Sequence, residues 1–188
     1  MPGLTLFLQH LGLALRLAAA HPQLDAEQAL AHARAATDAA TEQVSAELLL
    51  AVAFVESRFD VTNVSRIEGE KRRYGRYPST KPPPRWRRGT SLYCGPLQTF
   101  ALTWKQCLAQ RDLSVAYAAA ANELERWLAD RRVRGDITRA LSGYGCGNHG
   151  VKTGKCNRYP GRVLWQAKRL ERQQPVTVAA RRAAQPLS

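Results

Sequence analysis

Acidic side chains are in short supply in this sequence: 15 Asp and Glu stand against 28 Lys and Arg in 188 residues, a net charge of +13. That excludes an acidic activator-type chain and favours an anionic partner. Long apolar runs are missing too. No stretch of 18 or more residues is free of strongly polar side chains, which argues against a membrane-spanning helix. The nearest approach, residues 3–20, is interrupted by Gln9, His10 and Arg16. It has the apolar middle and the small-residue end (Ala18, Ala19, Ala20) of a signal-like segment over 1–20, but its first residues lack the Lys or Arg of one. Leu4, Leu8, Leu11 and Leu15 recur at helical spacing, which fits a helix packed on the domain through that stripe. Strands with a period of two are also lacking, so a sheet has room only as a small element within Arg66 to Tyr93. There is no internal repeat.

What is present is ordinary globular composition, 45% hydrophobic and 23% charged, enough for one core in one domain. Most of the chain reads as helix. Asp25 with Gln28 forms a capping box before an Ala-rich run, and Ser45 precedes ELLLAVAFVESRF, where Leu48, Val52, Val55 and Phe59 make an apolar stripe. Ser114 and Asp136 are candidate caps for two later helices, the first with Tyr117, Ala121, Leu124 and Leu128 inward, the second with Ile137, Leu141 and Tyr144. Val163, Leu164, Ala167 and Leu170 mark a last helix.

Residues 71–88 break the composition. They hold eight basic side chains (Lys71, Arg72, Arg73, Arg76, Lys81, Arg85, Arg87, Arg88) with Tyr74, Tyr77, Trp86 and three prolines, and read as a loop. Four cysteines allow three fully paired arrangements. Proximity favours Cys94 with Cys107 and Cys146 with Cys156, while Cys146, His149 and Cys156 offer zinc as a rival at a spacing that does not match the usual zinc pairs. Two disulfides would place the chain outside a reducing cytosol.

Glu56 stands at the end of the apolar helix and beside its stripe, so its carboxyl borders the core. Burial and the negative helix end favour the protonated form, which a general acid needs. A solvated glutamate at a helix end is the plain alternative. The segment VSAELLLAVAFVESRFDVTNVS, however, resembles the first motif of the bacterial lytic transglycosylases, the SLT-like family of the lysozyme-like fold, with Glu56, Ser57, Phe59 and Ser65 at the motif positions. Gly95-Pro96-Leu97-Gln98 resembles the family's Gly-Leu-Met-Gln. Gly143-Tyr144-Gly145-Cys146-Gly147 resembles its Ala-Tyr-Asn-Ala-Gly, and Tyr159 with Val163 and Leu164 its final tyrosine motif. The likeness runs from about Val44 to Leu170.

The resemblance implies a mainly α, α+β lysozyme-like domain over 44–172. Helices over 1–43 would pack on it, residues 66–93 would be an insertion near the cleft, and 173–188 a flexible tail. It implies Glu56 as the single catalytic acid/base, Ser65 and Gln98 in the glycan cleft, and Tyr144 and Tyr159 beside the glutamate; Asn148 would replace the amide lost where the motif Asn is Gly145. The substrate would be peptidoglycan, cleaved between N-acetylmuramic acid and N-acetylglucosamine with closure of a 1,6-anhydro ring, with no metal or organic cofactor. The location would be the periplasm or cell wall, or a phage virion. A hydrolase of the two-carboxylate kind needs a second acid about 5–9.5 Å away. Asp60, which reads better as a local cap, and Glu68 and Glu70 are the sequence's candidates. Nucleic-acid binding by the basic loop is the rival from another class, and it explains none of the four ordered motifs. Anionic cell-wall polymers suit the same loop.

Overall fold

The computed structural model describes residues 2–66, 75–83 and 91–173. Glu68, Glu70, Lys71, Arg72, Arg73, Tyr74, Pro84, Arg85, Trp86, Arg87, Arg88 and the expected tail after 173 lie outside the described residues. Seven helices among them, α1 (Pro2–Ala20), α2 (Ala26–Ala39), α3 (Ala46–Ser57), α4 (Trp104–Ala109), α5 (Leu113–Leu128), α6 (Ile137–Thr153) and α7 (Tyr159–Arg172), accompany four short strands. The strands β1 (Asn63–Arg66), β2 (Gly75–Arg76), β3 (Leu92–Cys94) and β4 (Thr99–Ala101) form one antiparallel sheet in the order β2-β1-β3-β4. The chain is therefore mainly α with a small sheet, the coarse class the sequence implies. The sheet does not stay within Arg66 to Tyr93, because β1 begins before that stretch and β4 follows it. Strands of two to four residues are too short to carry a readable period of two.

Local chemistry sets the helix starts. Asp25 and Gln28 close the capping box of α2, Ser45 Oγ accepts from Leu48 N at 3.2 Å, and Asp136 caps α6. The expected cap Ser114 is displaced by Asp112. Its Oδ1 accepts from Ser114 N at 2.8 Å, Ser114 Oγ at 2.7 Å and Val115 N at 3.4 Å, holding the Asp112 carboxyl below its ordinary pKa, so the serine sits inside the first turn.

One apolar cluster joins α1, α2, α3, α5, α6 and α7, built on Leu17, Leu49, Leu50, Tyr117, Leu124, Leu141 and Leu170, all fully buried. A smaller cluster of Val64, Leu92, Cys94, Ala101, Trp104 and Cys107 gives the sheet and α4 a core of their own. Arg111 ties the segment after β2 to this lobe, donating to the carbonyls of Tyr77, Pro78 and Ser79, while Trp104 Nε1 donates to Thr80 O at 2.6 Å. Helix α1 packs through His10, Leu13, Ala14, Leu17 and Ala20, and the stripe read from the sequence faces outward, Leu4 and Leu8 being 60% and 56% exposed. A helix apolar on nearly every side gives spacing no power to choose the buried face. Arg16 fixes the choice by pairing with Glu47 at 2.9 Å and donating to Leu170 O at 3.1 Å. No described helix is long and apolar enough to cross a membrane.

Beneath α1 and α2 lies an aromatic nest. Phe59 packs on His21, His32 and Phe54, and His32 Nδ1 meets Tyr117 Oη at 2.9 Å. Burial lowers the pKa of both histidines from 6.5 to about 4, Arg169 assisting at His21 while a backbone hydrogen bond at Phe59 opposes at His32. In this window the unfolded chain binds more protons than the native one. Stability is complete above the unfolded value and falls as pH drops from 6.5 toward 4, by at most about 1.4 kcal/mol per pH unit for each histidine. Denaturant midpoints measured from pH 7 to pH 4 should decline, and a double His21→Gln, His32→Gln variant should show a flatter decline.

Candidate functional site

The end of α3 is set by two successive left-handed residues, Arg58 (φ 57°) and Phe59 (φ 70°). Non-glycine residues pay for that conformation, and burial of Phe59 in the aromatic nest offsets it. Phe59 therefore leaves the helical stripe predicted for it and anchors the turn. The consequence is that Glu56 and Ser57 stand on the last helical turn, facing the sheet lobe. Ser57 Oγ donates to Pro96 O at 2.7 Å and back to Ala53 O at 3.3 Å, so the serine clips the Gly95–Gln98 turn to α3. Tyr144 Oη donates to Leu97 O at 2.7 Å and holds the same turn from α6.

Between these elements runs a cleft of about 630 Å³ lined by Glu56, Ser65, Gln98, Gly145, Tyr159 and Arg162, with Val55, Asn63, Gly75, Asn157 and the Cys146–Cys156 bridge completing its wall. Gln98, in the left-handed region (φ 51°), is nearly immobilised: its Nε2 donates to Asn63 O at 3.0 Å and Gly95 O at 2.9 Å, and its Oε1 accepts from Ser65 Oγ at 2.7 Å. Ser65 and Gln98 thus form a rigid floor whose hydrogen bonds join β1 to the turn. The buried Tyr159 hydroxyl lies against the Glu56 carboxyl, toward which it can donate. Burial first, then the Glu56 carboxylate, lifts the Tyr159 pKa well above the ordinary tyrosine value, which keeps a neutral O–H beside the carboxyl.

Glycines shape the α6 wall. A Cβ at Gly145 would stand 2.8 Å from the Tyr159 ring, and one at Gly143 would stand 2.5 Å from the Trp127 ring. Both rings therefore lie flush against the helix. The tyrosine occupies the space in which a motif side chain at 145 would begin. Ala at 145 should lose more through overpacking, about 1–3 kcal/mol, than the roughly 1 kcal/mol it gains in helix propensity. Gly12→Ala on α1, where the Cβ meets nothing within 4 Å, should show the gain alone. Thermal melts of the two variants separate the effects.

The structure brings Glu56, Ser65, Gln98 and Tyr159 to one cleft, with Tyr144 buried behind it. It does not bring Asn148. At Gly147 (φ 58°, ψ −150°) the helical path breaks, and Asn148 turns outward, its Oδ1 accepting from Arg132 at 2.9 Å. Asn157 takes a place on the cleft wall instead, delivered by the Cys146–Cys156 bridge. That bridge also leaves no thiolates for the zinc alternative, and the other two cysteines are joined as Cys94–Cys107. Asp60 acts as the expected local cap, its Oδ1 accepting from Thr62 N at 2.8 Å and Thr62 Oγ1 at 2.7 Å.

Glu123 is a residue that sequence reasoning missed. On α5 it shares a face with Ala116, Ala120 and Trp127, a carboxylate among small and aromatic residues, and that spacing is the signal that could have found it. It lines a second cavity of about 450 Å³ with Tyr93, Phe100, Asn122, Arg126 and Trp127, on the other side of Tyr144. Its side chain is only 19% exposed, and burial raises its pKa against the pull of Arg126, 3.6 Å away, and of the nearby Trp127 indole. Both carboxylates bear on Tyr144, whose pKa is raised well above normal by burial, then Glu123, then Glu56. Compared with known protein families, curated proteins and solved structures, the chain matches none.

Proposed function

We propose that this chain is a peptidoglycan-cleaving lytic transglycosylase of lysozyme-like fold, with Glu56 as its acid and base. The observation that carries the reading is a single carboxylate, among the described residues, on the wall of a cleft between a helical core and a small sheet. The four motifs by which the sequence resembles that family converge on this cleft or on the turn that frames it.

In this mechanism the Glu56 carboxyl protonates the glycosidic oxygen as the bond breaks. The resulting carboxylate then removes the proton from the C6 hydroxyl of the muramoyl residue, and that oxygen closes onto C1 to give the 1,6-anhydro sugar. The proton returns to Glu56, so no water is consumed. The neutral Tyr159 hydroxyl supports the carboxylate stage as a donor, since a carboxylate gains from such a contact more than a neutral acid does. The Ser65–Gln98 floor contributes rigidity and leaves the Gly95–Gln98 turn fixed against the reacting bond.

Muramidase hydrolysis is the second reading, favoured by one observation, the buried Glu123 on the far side of Tyr144. Incubation with purified sacculi separates the two. The lyase releases muropeptides one water lighter than those of a hydrolase, and absence of any released muropeptide overturns both. Two disulfides suit an oxidising setting, so we place the activity outside the cytoplasm, in the periplasm, the wall or a virion.

A further inference from the structure

A third cavity, of about 620 Å³, lies between the last turn of α3 and the exposed face of α7, lined by Phe54, Val55, Arg158, Arg162, Trp165 and Gln166 together with Gly161. Val55 and Arg162 also line the Glu56 cleft, so the two cavities adjoin. Its chemistry differs from that of the cleft. Trp165, 60% exposed, stands beside the half-buried Phe54 and Val55, so the three present one accessible apolar patch. The Arg169 guanidinium stands 5.8 Å from the Trp165 ring centre and steadies it. Arg158 and Arg162 have no carboxylate partner among the described residues, and over 158–172 five basic side chains face one acid, Glu171. Gln166 adds an independent sign: it is 8% exposed, and its Oε1 is buried with no hydrogen-bond partner.

We propose that this groove binds the anionic peptide stem carried by the muramoyl residue next to the bond being cut, making the site selective for peptide-bearing glycan. The inference rests on the glycan-cleaving reading of the Glu56 cleft. A short peptide presents what the groove lacks: carboxylates for Arg158 and Arg162, an amide N–H for Gln166 after a turn of its terminal torsion, and small aliphatic side chains for Trp165 and Phe54. A bare sugar chain presents neutral hydroxyls, for which this mainly apolar and cationic wall has few partners. The stem is tethered to the sugar in the adjoining cleft, so its binding gains from effective concentration.

The test is a calorimetric titration of full-length Glu56→Gln protein, which cannot consume ligand, with a muramoyl disaccharide bearing a tripeptide stem and with the same disaccharide lacking it. The stem should tighten binding at least tenfold. Trp165→Ala, and separately Arg158→Asn, which tolerates the left-handed backbone there (φ 62°), should each erase most of that preference while the melting temperature holds. Equal affinity for the two disaccharides, or a preference surviving both variants, overturns the inference. So does a single-stranded oligonucleotide that binds as tightly as the stem ligand and is lost in the same variants, since it would make the groove a general polyanion site. Release of muropeptides from sacculi by the unaltered protein reports on the Glu56 reading independently. Cleavage without stem preference removes only this inference, and stem binding without cleavage removes only that reading.

Discussion

Glu56→Gln is expected to lower the release of muropeptides from sacculi by two to four orders of magnitude while leaving the fold intact, the range typical of losing a positioned general acid/base. The amide keeps the volume and the neighbour Tyr159 but has no proton to give to the leaving oxygen and no basic oxygen to take one from C6. Because Glu56 sits on the last turn of α3 with its helix held by the Ser57–Pro96 contact and the buried Phe59, nothing in the substitution disturbs the framework. Glu123→Gln provides the contrast. In the lyase reading it should alter turnover far less than Glu56→Gln and leave the products in anhydro form. Equal loss in both variants, with reducing-end products from the unaltered protein, would move the assignment to a two-carboxylate hydrolase. Retention of most activity in Glu56→Gln would remove Glu56 from the chemistry altogether.

How far the residues announced this arrangement depends on the range of the forces involved. Caps are local, and Asp25 with Gln28 and Asp136 were readable because each bonds a backbone N–H two or three residues away. Ser114 was misplaced by two positions because Asp112 competes for the same donors and its carboxylate is the stronger acceptor. The inward stripe Tyr117, Ala121, Leu124 and Leu128 was readable because Asn122, Glu125 and Arg126 mark the opposite side of α5, whereas α1, apolar on nearly every side, hid its buried face. The cleft was partly legible. Glu56 was marked by its position at a helix end, but Phe59 could not be removed from that stripe without knowing that two left-handed residues intervene. Asn148 was unreadable for a similar reason: one glycine dihedral pair at 147 turns it from the cleft, and a disulfide ten residues long brings Asn157 in. Glu123 escaped because a charged residue on a helix is read as solvated; its spacing with Ala116, Ala120 and Trp127 hinted otherwise, and the packing of β3, β4 and α6 over it completes the burial.

Reduction of the two disulfides should be the largest stability effect available without altering the sequence. Cys94–Cys107 and Cys146–Cys156 close loops with sequence separations of 13 and 10, and the loop-entropy relation assigns each about 3 kcal/mol. About 6 kcal/mol together is comparable to the whole stability of many domains, and at roughly 2–4 °C per kcal/mol the melting temperature should fall by roughly 12–24 °C. Four free thiols in the unreduced protein, or an unchanged melt after reduction, would overturn the pairing. The two bridges should also differ in kind. Cys94 and Cys107 belong to the core of the sheet lobe, away from the cleft wall, so a Cys94→Ser, Cys107→Ser variant should lose stability and keep its activity at temperatures where it remains folded. Cys146 and Cys156 line the cleft and join α6 to the residues that lead into Tyr159. Without that bridge the segment leading into α7 is no longer tied covalently to α6, and the Tyr159 hydroxyl loses its fixed approach to Glu56. Cys146→Ser, Cys156→Ser should therefore cost turnover well below its melting temperature, at an unchanged affinity for glycan that engages only the Ser65–Gln98 floor. Equal activity in the two double variants under folded conditions would show that the bridge stabilises the chain without positioning the site.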